Sequence, residues 1–341
     1  MVVTNDPSTA PTAPAAGAVV SPGRRVFTAS LVGCILFLIF AGAEVKSREA
    51  GLSVPDWPKS YGMWMPPMVG NVFYEHGHRM IAATVGFLTV ILAFWTAFTE
   101  RRSWMRTLGW VALGAVIVQG VLGGLTVIYL LPTPISMAHG ALAQTFLCVV
   151  AWMALANGRE WSAATERAAA RAAPPADGPG RGAYLAAVTA TAAVYIQLLL
   201  GAWMRHSEAG LAVPWFPTSE DGRWMPAAVD TQVVAHMLHR GFAAVAGLLV
   251  LRAAWAALRS GLAVRGHALL LAGLVVTQIT LGAFVIWERK APVVTSTHVV
   301  CGAGLLLTSW LLVLRTWRLG EAVAPQPAPR ATAARGALEG A

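Results

Sequence analysis

Long apolar runs recur along this chain, and they constrain its fold more than any other feature. A helix that crosses a bilayer needs about 20 mostly apolar residues, and its backbone must satisfy its hydrogen bonds internally. Eight runs approach that length: 26–43, 80–98, 108–130, 135–156, 183–203, 233–257, 268–287 and 293–313. The sequence therefore predicts an all-α integral membrane protein with eight transmembrane helices.

Composition and charge placement agree with this prediction. Charged residues make up 12% of the 341 residues, about half the share that is usual in soluble domains. The net charge of +9 comes largely from arginines that flank the spans, so it predicts topology and lipid contact and not nucleic-acid binding. Arginines after spans two, four, six and eight place both termini in the cytoplasm. Because the N-terminal stretch lacks the character of a mitochondrial presequence, we expect a bacterial cell (inner) membrane protein.

The two halves of the chain repeat each other. The stretch that begins at Glu49 reads EAGLSVP, and the stretch that begins at Glu208 reads EAGLAVP. Further matches, such as Gln119 with Gln278, keep offsets of 159 to 161 residues. Both copies contain four spans and begin on the same side, which is typical of a parallel repeat about an axis along the membrane normal. We therefore predict two tandem four-helix bundles.

The predicted domain boundaries follow from the repeat and from local composition. Residues 1–24, rich in Ala, Pro and Thr, are predicted to form a disordered N-terminal tail. Residues 319–341 are predicted to form a disordered C-terminal tail. An Ala/Arg/Pro/Gly stretch over 159–182 is predicted as a cytoplasmic linker. The two bundles then occupy residues 25–158 and 183–318.

Four histidines open the even-numbered spans at matching positions of the repeat. They are His78 and His139 in the first half and His239 and His298 in the second. A haem iron accepts two axial imidazoles, and a helix bundle can supply one from each of two facing helices. Zinc prefers a third or fourth ligand, and the second half offers no matching carboxylate. The pattern therefore predicts two haem sites, one per bundle.

Glu75 marks the place where the repeat breaks. It lies three residues before His78 on the same helix face, whereas the second half has His236 at the matching position. A carboxylate beside only one haem suggests a catalytic residue that accepts a proton or stabilises positive charge. The alternative is an ion pair with Arg79, four residues further on.

Four other residues near these histidines are candidates for contacts with haem. Arg79 and Arg240 follow a histidine in each half. Each of them either anchors the chain at the interface or binds haem propionates through its forked guanidinium. His76 and His236 are candidates for propionate contact or for support of the haem ligands. For His76 the alternative is packing near the interface.

Together these features resemble the haem A synthase family. The resemblance rests on the four-plus-four spans, Glu-x-x-His at 75–78, His139, His239, His298, and the Gly-Leu-Ser/Ala-x-Pro motifs at 51–55 and 210–214. It implies oxidation of a methyl substituent of haem O to the formyl group of haem A, with a b-type haem that carries electrons. By motif match, the iron of the substrate haem would lie between His78 and His139, and that of haem b between His239 and His298. Haem O synthase and terminal oxidase assembly factors are the implied protein partners, and a homo-oligomer is left open.

The resemblance does not extend to a cysteine pair that many family members carry in an outer loop. Residues 44–75 and 204–232 contain no cysteine. The residues themselves leave two other functions open: a di-haem cytochrome b that oxidises quinol, and a haem transporter or chaperone. Glu75 discriminates among these, since neither electron transfer nor transport needs a carboxylate beside one site only.

Overall fold

The computed structural model describes residues 21–169, 180–220 and 222–323, and these ranges are helical apart from their loops. They contain nine α-helices: α1 Pro22–Ser47, α2 Asn71–Thr99, α3 Ser103–Ile128, α4 Thr133–Ala156, α5 Arg159–Ala169, α6 Arg181–His206, α7 Thr231–Arg259, α8 Arg265–Trp287 and α9 Pro292–Val323. A single 3₁₀ turn, Ala209–Leu211, lies between α6 and α7. The prediction of an all-α fold is confirmed.

Eight of these helices, all except α5, are long and apolar enough to cross a membrane. Each contains one predicted span, and only the third prediction overran its helix, because α3 ends at Ile128 and not at residue 130. The chain is therefore a multi-pass membrane protein, as predicted. Large apolar side chains such as Phe98 and Leu248 are exposed on the outer helix faces, which is the surface that lipid covers.

The helix contacts fall into two sets of four. In the first set α1 contacts α2 and α4, and α3 contacts the same two helices. In the second set α6 contacts α7 and α9, and α8 contacts those two. Between the sets, α9 contacts α1 and α4, and α4 contacts α6. Exchanging the two halves maps the α1–α9 contact onto the α6–α4 contact, which supports the proposed duplication. The cytoplasmic location of the termini stays a prediction.

Polar contacts join the two bundles near the end where α1 and α6 finish. The guanidinium of Arg205 donates to the backbone oxygen of Ala43 at 2.7 Å and to Oγ of Ser47 at 2.8 Å. Ser47 in turn lies 3.2 Å from the hydroxyl of Ser296 on α9. Deeper in the interface, the indole of Trp310 donates to the backbone oxygen of Cys148 at 3.0 Å. The bundles are therefore in contact at two depths.

The structure shifts four of the predicted domain boundaries, one of them because α6 begins at Arg181, inside the predicted linker. Helix α1 begins at Pro22, inside the predicted tail, and α9 continues to Val323, past the predicted end at 318. The linker 159–182 opens with α5, which packs on α9 and buries Trp161. The sequence did not predict α5, because the stretch was interpreted as a linker from its composition. Alanine and arginine, which dominate the stretch, are also good helix formers, so composition does not distinguish a linker from a helix here. The remaining tail and linker residues, 1–20, 170–179 and 324–341, lie outside the described residues.

A buried ion cluster closes the first bundle at the end opposite the histidines. Arg24 and Glu100 are both only 4% exposed and lie 2.5 Å apart, N to O. Arg24 also donates to Oδ1 of Asn157 at 3.1 Å, and Arg102 pairs with Glu100 at 2.8 Å. Burial acts to raise the pKa of Glu100, but hydrogen bonds and charge from Arg102 and Arg24 outweigh it and lower that pKa. Arg24, which the sequence places in the tail, is thus part of the folded bundle.

Candidate functional site

All four predicted ligand histidines lie at the same end of the molecule. Each is within the first three turns of its helix: His78 on α2, His139 on α4, His239 on α7 and His298 on α9. Because consecutive spans run in opposite directions, these four helices all start at one end. We call it the histidine end.

The histidines form one pair in each bundle. They are His78 on α2 with His139 on α4, and His239 on α7 with His298 on α9. All four side chains are partly exposed, yet Nδ1 is buried without a hydrogen-bond partner in His78, His139 and His298. A buried polar atom without a partner is costly. These rings are therefore available to a ligand that the protein itself does not supply.

A bare metal ion suits this arrangement poorly. Across residues 21–169, 180–220 and 222–323, no group of three or more His, Cys, Asp or Glu side chains is placed to hold one. Structural zinc sites use four ligands and catalytic zinc sites use three. Two imidazoles per bundle match instead the two axial positions of a haem iron.

Glutamine side chains accompany the histidines of the second bundle. Nε2 of Gln197 lies 3.0 Å from Nδ1 of His239 and 3.0 Å from its backbone oxygen. Nε2 of Gln278 lies 3.2 Å from Nε2 of His298. In the first bundle the repeat partner of Gln278, Gln119, donates to the backbone oxygen of His139 at 3.0 Å. Gln119 and Gln278 occupy matching positions of the repeat, but the sequence alone did not predict their contacts with the histidines.

Glu75 is buried and fully engaged by its surroundings. It is 4% exposed, accepts from Nη2 of Arg79 at 2.6 Å, and accepts from the backbone N–H of Val54 at 2.8 Å. The ion pair that the sequence raised as an alternative role is therefore present. The same carboxylate also holds the loop that joins α1 and α2, residues 48–70, which we call loop A.

Arg79 and Arg240 make equivalent contacts in the two halves. Arg79 donates to the backbone oxygen of Asp56 at 2.8 Å and to that of Lys59 at 3.0 Å. Arg240 donates to the backbone oxygens of Val213 at 2.9 Å and Trp215 at 2.7 Å. Val213 and Trp215 lie in the loop between α6 and α7, which we call loop B (207–220 and 222–230). Both arginines thus anchor a loop at the histidine end.

His76 and His236 also tie their helices to these loops. Nδ1 of the buried His76 lies 2.8 Å from Oγ of Ser60 in loop A. Nδ1 of His236, which is 1% exposed, lies 2.9 Å from the backbone oxygen of Ala209 in loop B. Both side chains therefore stabilise loop positions above the paired histidines.

Asp56 and Trp57 give loop A further contacts of its own. The carboxylate of Asp56 accepts from the backbone N–H groups of Gly62 at 2.8 Å and Tyr61 at 2.6 Å. The hydrogen bond from Gly62, reinforced by that from Tyr61, holds the pKa of Asp56 below its ordinary value. The indole of Trp57 packs so closely on Gly124 of α3 that a Cβ there would lie 2.7 Å from the ring. Loop A is thus a formed structure over the first bundle.

The family described as cytochrome oxidase assembly protein, COX15-CtaA, matches residues 69–311. The chain belongs to this family. The matched residues include all four histidines and extend from the start of α2 into α9, so the resemblance to haem A synthases inferred from the residues is confirmed.

Proteins named Heme A synthase from several organisms resemble the chain over most of its length. A protein named Heme A synthase from Sphingopyxis alaskensis is 28% identical, over 88% of this chain and 92% of its own length. Those of Geobacillus kaustophilus and Symbiobacterium thermophilum are 25% and 29% identical. They match 86% and 69% of this chain, and 92% and 76% of their own lengths.

Proposed function

We propose that this COX15-CtaA member is a haem A synthase, a membrane oxidoreductase that converts a methyl group of haem O to the formyl group of haem A. The observation that carries the proposal is the pair of imidazoles in each bundle, all at one end of the molecule. Support also comes from the relatives, which are named Heme A synthase and match most of the chain. Haem O and haem A are then its substrate and product.

The two pairs suit different haems. We assign His239 and His298 to a resident haem b, because Gln197 and Gln278 contact their rings and would hold them in fixed orientations. When bound, this haem would accept and donate single electrons. We assign His78 and His139 to the substrate haem O. The unpartnered Nδ1 atoms in both bundles and the apolar spans around them fit a planar apolar ligand.

Glu75 is the proposed catalytic residue. It shares a helix face with His78, so its carboxylate would lie near a haem whose iron His78 binds. There it would accept a proton released from the methyl group, or stabilise positive charge that develops on that carbon. Arg79 and the Val54 N–H fix the carboxylate in place and offset part of the cost of its burial.

The arginines are proposed to combine loop anchoring with propionate binding. Among the described contacts Arg240 donates only through Nη2, which leaves other N–H groups for a carboxylate. Both Nη atoms of Arg79 already donate hydrogen bonds, one to loop A and the other to Glu75. Arg240 is therefore the stronger candidate for binding a propionate. His76 and His236 would act by holding the loops. Haem O synthase and oxidase assembly factors are the proposed protein partners, and the sequence leaves open whether the protein forms a homo-oligomer.

Mass analysis of extracted haem tests the proposal. The full-length protein is co-expressed with a haem O synthase in a host that makes no haem A, and its haems are extracted after purification. We expect haem A together with haem b, and only haem b and haem O from the same protein carrying His78→Ala. Haem O that is bound but never oxidised would favour the transporter. Haem b alone would favour the di-haem electron carrier.

A further inference from the structure

Each of the four candidate ligand histidines packs against a glycine of the preceding span. His78 on α2 packs against Gly42 on α1, and His239 on α7 packs against Gly201 on α6. A Cβ built on either glycine would lie 2.9 Å from Cε1 of the imidazole. Real Cβ atoms essentially never come this close to another heavy atom, so alanine at either position would force the ring to move.

The second histidine of each bundle repeats the arrangement with slightly more room. His139 on α4 packs against Gly123 on α3, where a Cβ would lie 3.3 Å from Cε1. His298 on α9 packs against Gly282 on α8, where the distance is 3.2 Å. Both glycine pairs, 42 with 201 and 123 with 282, are 159 residues apart. The contact is therefore a repeated feature of both halves.

Four other glycines, one on each of the same helices, have no close contact. Within 4 Å of a Cβ built on Gly33 of α1, Gly120 of α3, Gly182 of α6 or Gly273 of α8, there is no atom outside the immediate helix backbone. Glycine lowers helix stability by about 1 kcal/mol relative to alanine, so a glycine kept against an imidazole needs a local reason. The close approach of the ring supplies that reason.

We propose that Gly42, Gly123, Gly201 and Gly282 are positioning residues that set the orientation of the four imidazoles for haem ligation. Cε1 lies between the two ring nitrogens, so a backbone pressed against this edge limits rotation of the whole ring. The inference rests on the proposed function, because it takes the histidines as haem ligands. It adds four residues to the site, each of which acts through the imidazole that it packs against.

A role in helix packing alone makes a different prediction. In that case alanine would separate two helices and destabilise the bundle. Here the atom in the way is the far end of a side chain that can rotate, so the fold survives and the ring moves. The effect should therefore fall on the haem signal, and it should be larger at Gly201 than at Gly282.

The experiment compares matched alanine variants of the full-length protein in detergent. Gly201→Ala is paired with Gly182→Ala on α6, and Gly282→Ala with Gly273→Ala on α8. Haem content and the low-spin EPR signal, which responds to the orientation of the two axial imidazole planes, are measured beside helicity and elution volume. We expect roughly 10-fold weaker haem retention for Gly201→Ala, with an altered EPR signal. Gly282→Ala should alter the signal less, and both controls should match the wild type.

One further variant separates failure of this inference from failure of the proposed function. If His239→Ala keeps the wild-type haem signal, the ligand assignment itself is wrong. If His239→Ala loses the haem while folded Gly201→Ala keeps both content and signal, the positioning role is overturned. Should Gly201→Ala fail to fold, the gentler Gly282→Ala decides, and a wild-type EPR signal there overturns the inference.

Discussion

The two bundles keep the same ligand positions but surround them differently. Both place a histidine pair at one end, and both seat each imidazole against a glycine. The first bundle has Glu75 where the second has His236, and Leu38 where the second has Gln197. Under the proposed function, the two halves thus share the ligands that a haem site requires. The differences lie in the neighbours, and we propose that these decide whether a bound haem is held or transformed.

Loops A and B, which lie over the two histidine pairs, are also held by different contacts. Loop A is held by charge, through Glu75 and Arg79, and by an indole packed on Gly124. At the position of Gly124 the second bundle has Ala283, and the aromatic contact of loop B is that of Phe216 with Trp287 on α8, with ring centroids 6.2 Å apart. Each loop is held by an arginine, Arg79 or Arg240, but only loop A is also held by a buried carboxylate, that of Glu75. That combination suits a site from which water must be excluded during reaction.

The largest expected effect comes from removing the ligands one bundle at a time. His239→Ala or His298→Ala should abolish the low-spin haem spectrum of the purified protein, because each removes an axial ligand of the resident haem. His78→Ala and His139→Ala should keep that spectrum and abolish haem A formation. Absorption spectra and haem extraction measure both. Loss of the resident haem only from the first-bundle variants would reverse our assignment of the bundles.

Glu75→Gln tests the difference between the bundles most directly. Glutamine keeps the size and still accepts from the Val54 N–H, but it cannot take up the released proton as a carboxylate does. We expect haem A formation to fall roughly 10²-fold or more, with haem O or partly oxidised haem accumulating and the resident haem unchanged. The matched variant His236→Gln should leave haem A formation far less affected.

Two measurements separate catalysis from loop anchoring in Glu75→Gln. Limited proteolysis reports whether loop A stays closed, and we expect the same cleavage pattern as in the wild type. Haem extraction reports the products. Full haem A formation in this variant would refute the carboxylate mechanism and favour the electron-carrier function.

What the sequence predicts well here is what the bilayer imposes. Span length and the period of the repeat located eight helices and four histidines, because both are local properties of the chain. The ion pair of Glu75 with Arg79 could also be predicted from the sequence, since the two residues are one helical turn apart. Contacts such as Gly42 with His78 depend on how two helices approach, which no local pattern encodes. Yet the repeat aligned Gly123 with Gly282 in the sequence, so an unexplained matched glycine was a usable signal.

The ends opposite the histidines also differ between the bundles. The first closes with the buried pair of Arg24 and Glu100, supported by Asn157. At the positions of Arg24 and Asn157 the second bundle has Ala183 and Thr316, both buried. The charged contact at that end of the second bundle, between Arg315 and Glu160, lies near the surface, since the Glu160 side chain is 74% exposed. A buried carboxylate pair contributes more to stability than an exposed one, so acid should distinguish the two bundles.

Glu100→Gln has the smallest expected effect on the haem signals, because Glu100 lies at the far end of the bundle. It should lower stability by about 3–5 kcal/mol, since it leaves the buried Arg24 without its carboxylate. The pKa of Glu100 is depressed from its ordinary value of 4.5, so its contribution is fully present above that pH and is lost as the pH falls through the lower, folded value. Unfolding by a denaturing detergent should therefore separate wild type from variant at pH 6, and the gap should close below pH 4.5. A constant gap across this range would show that the carboxylate charge does not hold the first bundle together.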